Sequence, residues 1–89
     1  MEANILGYTL VKTCCACPEQ YDVLLSKEQV GYLRLRHGRF FAAVPDAGGA
    51  IVFESNPRGD GIFENDERGE HLTNAVAAIH SHRVNSITE

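Results

Sequence analysis

Tryptophan is absent from this 89-residue chain, methionine occurs once and proline three times. Basic charge is scarce as well: eight Lys and Arg face twelve Asp and Glu, for a formal net charge of −4. Without a dominant basic field, duplex nucleic acid and anionic membrane surfaces are disfavoured as partners. No apolar run approaches the roughly 20 residues of a membrane span. Met1-Glu2-Ala3-Asn4 lacks the basic opening of a secretory signal, which points to a cytoplasmic protein. Cysteine is confined to Cys14, Cys15 and Cys17. An odd, local cluster cannot staple a fold with disulfides, so reduced thiols in a reducing compartment are expected. Also missing is a paired acid and base, or a nucleophile beside a base, so the chain does not read as an enzyme.

A hydrophobic content of 44% with 22% charged residues fits a globular protein, and the length fits one domain over residues 1–89. A chain of this size buries roughly 60 to 65% of its unfolded surface. So modest a core favours a homo-oligomer or a partner-bound protein.

Ile5 to Lys12 reads as a first strand, and Tyr21 to Leu25 as a second. After the polar turn Ser26-Lys27-Glu28-Gln29, Val30 to Arg36 forms a third. His37-Gly38 is a two-residue hairpin signal leading to a fourth, Arg39 to Val44. Pro45-Asp46-Ala47-Gly48-Gly49 turns the chain into a fifth, Ala50 to Glu54. Beyond a loop from Ser55 to Phe63, Leu72, Ala75, Val76 and Ile79 recur at helical spacing. Asn65 or Asp66 would cap that helix, His80, His82 and Arg83 would lie at its end, and Asn85 to Glu89 would fray. The expected fold is α+β: an antiparallel meander of about five strands, with one C-terminal amphipathic helix on one face.

Cys14 and Cys17 have the spacing of a zinc knuckle and are the candidate metal ligands. A second pair is needed, and the matching turn around Pro45-Asp46 has no ligand. No cofactor is therefore assigned, zinc being the one the spacing allows. Asn56 to Glu67 superficially resembles a calcium loop, but Arg58 stands where a ligand oxygen belongs and no helix precedes it. A cap and a turn explain those acids more simply.

Residues 32 to 39, Tyr-Leu-Arg-Leu-Arg-His-Gly-Arg, hold three of the eight basic side chains. On a strand, alternate side chains share a face, so Leu33 and Leu35 enter the core while Tyr32, Arg34 and Arg36 point the other way. The hairpin turn lets Arg39 join them. Arginine forks suit phosphate and carboxylate, and a tyrosine can stack on a base or a guanidinium. Tyr32, Arg34, Arg36 and Arg39 are thus the candidate contact residues for a small anionic ligand or a protein surface. The competing reading is an exposed sheet face whose arginines pair with Asp22 or Glu54 on neighbouring strands.

Three stretches carry a resemblance: Pro18-Glu19-Gln20-Tyr21-Asp22-Val23, Gly31 to Gly38, and Gly59-Asp60-Gly61-Ile62-Phe63-Glu64. Through them the chain resembles small uncharacterised proteins encoded by bacteriophages and prophages. The resemblance implies a non-enzymatic accessory protein in the host cytoplasm. It would inhibit a host defence by binding a host protein or by sequestering an anionic, nucleotide-like ligand. The alternatives are a small nucleic-acid-binding module and a structural interaction domain, for which zinc is the stabilising metal the cysteine spacing allows.

Overall fold

Buried positions recur at every second residue over much of Tyr8–Lys12, Glu19–Leu25 and Glu28–Arg36, the pattern of a sheet with one covered face. A computed structural model describes residues 2–13 and 18–87. It contains strands β1 (Glu2–Ile5), β2 (Tyr8–Lys12), β3 (Glu19–Leu25), β4 (Glu28–Arg36), β5 (Arg39–Val44) and β6 (Ala50–Ser55), followed by helix α1 (Asn65–Ile87). All six strands form one antiparallel sheet whose spatial order is the chain order. The α+β meander with a C-terminal helix is therefore the fold. No helix among the described residues is long and apolar enough to cross a membrane.

The strand count among the described residues is six rather than five, because the stretch expected as one strand, Ile5 to Lys12, holds the end of β1, a turn and β2 of a hairpin. Its turn is Leu6-Gly7, with φ of 54° and 85°. Left-handed backbone is disfavoured for a bulky residue, so a leucine there gives no turn signal. Ser26-Lys27 and His37-Gly38 also have two successive positive φ values. Three hairpins thus turn on two left-handed residues, the geometry whose twist matches that of the flanking strands. The turn after β3 is correspondingly shorter than the four polar residues suggest, with Glu28 and Gln29 already in β4.

Leu10, Val23, Leu33, Leu35 and Phe40 line the covered face and meet Leu72, Ala75, Val76 and Ile79 of α1. Each of these side chains larger than alanine contributes roughly 1.5–3 kcal/mol on burial. The helix packs chiefly on β6 and β5 and reaches β4 and β1. Over β4 the approach is close: a Cβ on Gly31 would lie 2.6 Å from Ile79 Cδ1. Further along, Tyr8 Oη is hydrogen-bonded to His80 Nδ1 at 3.0 Å, so His80 is tied to the sheet rather than loose at a helix end. The helix continues past His80, His82 and Arg83 to Ile87.

Two buried carboxylates fasten the loop before the helix. Glu67 Oε1 accepts the amide of Arg58 (2.8 Å), and its Oε2 accepts those of Gly59 (2.9 Å) and Glu64 (3.0 Å). The first helical hydrogen bond runs from Arg68 N to Glu64 O, which makes Glu64, rather than Asn65 or Asp66, the N-cap. Glu67, three residues on, reaches back to the capping residue's amide as in one half of a capping box. Its oxygens face the loop's own amides, which accounts for the calcium-like spacing without a cation. Gly59 is needed there, since a Cβ would come within 1.9 Å of Ile62 O.

Candidate functional site

Glu19 opens β3 at a core-facing position and is fully buried. Its Oε2 accepts from Arg68 Nε (2.7 Å) and from the Tyr21 hydroxyl, while Oε1 accepts from Phe63 N (2.9 Å) and Arg68 Nη2 (3.2 Å). Burial opposes its charge, but Arg68, Tyr21 and the Phe63 amide together hold its carboxyl below the usual range. Burial and then the neighbouring Glu19 push the Tyr21 hydroxyl up. Burial likewise opposes ionisation of Glu67, yet its amide donors bring that carboxyl down to about 2. These groups have their partners within the fold. Ser55 Oγ lies 2.9 Å from His71 Nδ1, and His71 Nε2 lies 3.6 Å from Glu67 Oε1. That row has a hydrolase-like look, but 3.6 Å is beyond a hydrogen bond. Glu67 is already occupied by amides, and the His71 ring stacks on Phe63 with centroids 5.3 Å apart. It is a packing brace between β6 and α1.

The opposite, helix-free face is different. Alternation along β4 puts Tyr32 and Arg34 half-buried and Arg36 exposed there. Pairing across the His37-Gly38 turn sets Arg36 opposite Arg39, Arg34 opposite Phe41 and Tyr32 opposite Ala43. Arg34, Arg36, His37, Arg39 and Phe41 line an open depression of about 360 Å³. A second depression of about 430 Å³ adjoins it, lined by Pro18, Arg34, Arg36, His37, Asp60 and Gly61. Arg34, Arg36 and His37 are the ridge that both share.

Partners divide the arginines sharply. Arg39 pairs with Glu54 across the β5–β6 register and lies over the Phe41 ring, 5.4 Å from its centroid. Asp22 accepts from Gln29 Nε2 at 3.2 Å rather than meeting an arginine. Among the described residues, Arg34 and Arg36 form no ion pair. Among the described residues, Arg36 Nε reaches only the His37 ring, at 3.2 Å. Arg34 Nε is buried without a hydrogen-bond partner among the described residues, an arrangement that costs roughly 1–3 kcal/mol for a polar group left unpaired. Arg36 and Arg39 also stand directly opposite one another, a like-charge pairing that weakens a sheet.

Of the four expected contact residues, Arg34, Arg36 and Arg39 come together and Tyr32 stands behind them. The Tyr32 hydroxyl donates to Gln20 Oε1 at 3.2 Å, and its ring tilts against Phe41 at 6.3 Å, outside both depressions. Phe41 and His37 join the site unforeseen, although counting residues across the two-residue turn places Phe41 beside Arg34. Pro18 arrives through the β3–β4 pairing, in which Glu19 stands opposite Leu35, and Asp60 and Gly61 through long-range packing, fixed where Glu19 N donates to Gly61 O at 2.7 Å. Cys14 and Cys17, the candidate zinc ligands, lie outside the described residues. Compared with protein-family models, curated proteins and solved structures, the chain gives no match.

Proposed function

We propose that this protein is a non-enzymatic binding protein that captures a compact oxyanion on the helix-free face of its sheet. Arg34 and Arg36 are the primary contacts, His37 and Arg39 flank them, and Phe41 forms an apolar wall. The observation that carries this reading is the pair of adjacent arginines without a carboxylate. Two residues apart on one strand, their Cα atoms are about 7 Å apart, so their forks can converge on one group. An arriving oxyanion would receive charge-assisted hydrogen bonds. It would also relieve the repulsion between Arg36 and Arg39. The likeness to phage-encoded proteins supplies a context in which the ligand is a host factor, either a phosphate-bearing small molecule or an acidic protein surface.

Titrating isotope-labelled protein with inorganic phosphate, and following backbone and arginine Nε resonances, tests the reading. Saturable shifts centred on Arg34, Arg36 and His37 are expected, and an Arg34→Ala/Arg36→Ala variant that stays folded should lose them. Phosphate shifts that persist unchanged in that variant would sink the assignment. Capture of one or two oxyanions predicts a shallow dependence on salt, whereas a long nucleic-acid track would give a steep one. The exposed edges β1 and β6 offer unpaired backbone to a second copy, and the homo-oligomer this implies is read from the solution mass.

A further inference from the structure

The second depression contains a group that anion capture alone does not use. Asp60 shares its lining with Arg34, Arg36 and His37, yet it is exposed and forms no ion pair with them. Its position is fixed from both sides: the Gly59 amide is bonded to Glu67 (2.9 Å) and the Gly61 carbonyl to the Glu19 amide (2.7 Å). Opposite charges held on a fastened loop and on a strand, with about 430 Å³ of open space between them, form a dipolar cleft. That volume lies within the roughly 300–1,000 Å³ of small-molecule sites. A plain anion there meets Asp60 as a repulsive neighbour. A ligand with a cationic end turns the same carboxylate into a partner.

Resting on the anion-capture reading, we propose that the cleft selects a phosphomonoester carrying an amine a few atoms from the phosphate. The phosphate would sit on Arg34 and Arg36, and the ammonium group would face Asp60. A phosphate is favoured over a carboxylate because two guanidinium groups and an imidazole offer more donors than two oxygens can accept.

Calorimetric titration with phosphoethanolamine and with propyl phosphate, its counterpart of similar size without the amine, tests this on the intact chain. Phosphoethanolamine should bind about fivefold more tightly, the scale of one solvent-exposed charge contact. Asp60→Asn should abolish that preference by weakening phosphoethanolamine and strengthening propyl phosphate. Arg34→Ala should weaken both ligands. Equal binding of the two probes, unchanged in Asp60→Asn, would overturn the selectivity while leaving anion capture standing. Binding of neither probe by the unaltered protein would overturn both readings. An unshifted heat-melting profile for Asp60→Asn separates lost selectivity from lost folding.

Discussion

Arg68 and Arg34 are both half-buried guanidinium groups, one on the helix and one on the sheet, and they live under opposite conditions. Arg68 donates to both oxygens of Glu19, to the carbonyl of Phe63 and to Asn65 Oδ1. Its charge is held more firmly than in free arginine, above all by the hydrogen bond to Glu19. Arg34 has no such acceptor among the described residues, and its Nε is buried unpaired. Side-chain type is the same; what differs is whether the fold answers it. Where it does, the arginine is structural. Where it does not, the side chain that lines both depressions is left for an outside acceptor.

Removing the answered side should do the most damage. Glu19→Ala strips a buried carboxylate from Arg68, Tyr21 and the Phe63 amide, and should cost about 3 kcal/mol, or roughly 15 °C in Tm. Urea denaturation and thermal melting read this directly, and a loss below 1 kcal/mol would erase the contrast. Acid should attack the same region. Glu19 and Glu67 both titrate below their unfolded values, so their stabilisation is complete above the ordinary carboxyl pKa of about 4.5. It is lost as the pH falls through their folded values, about 2 for Glu67. Denaturation midpoints measured from pH 6 downward should therefore hold steady at first and then decline below about 4.5.

On the helix-free face, stability should hardly move. A double-mutant cycle on Arg39 and Glu54, a pair with both side chains about half exposed, should give a coupling of about 0.5 kcal/mol. Arg36→Gln should be the smallest effect and of opposite sign, a gain of a few tenths of a kcal/mol, because it relieves repulsion across the turn from Arg39. Chemical denaturation in low-phosphate buffer checks the sign. Adding phosphate should then narrow or reverse the gain, since only the unaltered protein retains the full set of forks.

Much of this contrast was legible in the residues, though unevenly. Period-two alternation around Leu33 and Leu35 placed Arg34 and Arg36 on one face, and Gly38 marked the turn that returns Arg39. The same alternation puts Glu19 in line with Tyr21 and Val23, a charged residue at a core position, which was a readable sign of a buried ion pair. Leu6-Gly7 carried only half a turn signal: Gly7 suits the left-handed position as Gly38 does, but nothing in a leucine announces a left-handed backbone. Glu64 hid the helix start, since capping there comes from Glu67 reaching backward rather than from a short polar side chain at the cap. Asp60 was beyond local reading, because packing of its loop against the start of β3, some forty residues away, brings it to the arginines; Pro18 lies there because the next residue, Glu19, pairs with Leu35.

The sheet's strand order has a bearing on how the chain assembles. Every sheet neighbour is also a sequence neighbour, so the meander can be built by successive hairpin closures without any long loop to close. The polar contacts of Glu19 with Phe63 and Arg68 span 44 and 49 residues and can form only once the last third of the chain returns. That separates a locally wired platform from a lid of loop and helix fastened to it by long-range contacts. Because Asp60 rides on the lid while Arg34 and Arg36 belong to the platform, the cationic wall of the cleft can exist before its acidic wall. In native-state hydrogen exchange, β3 to β5 would then form one protected tier and the loop with α1 another.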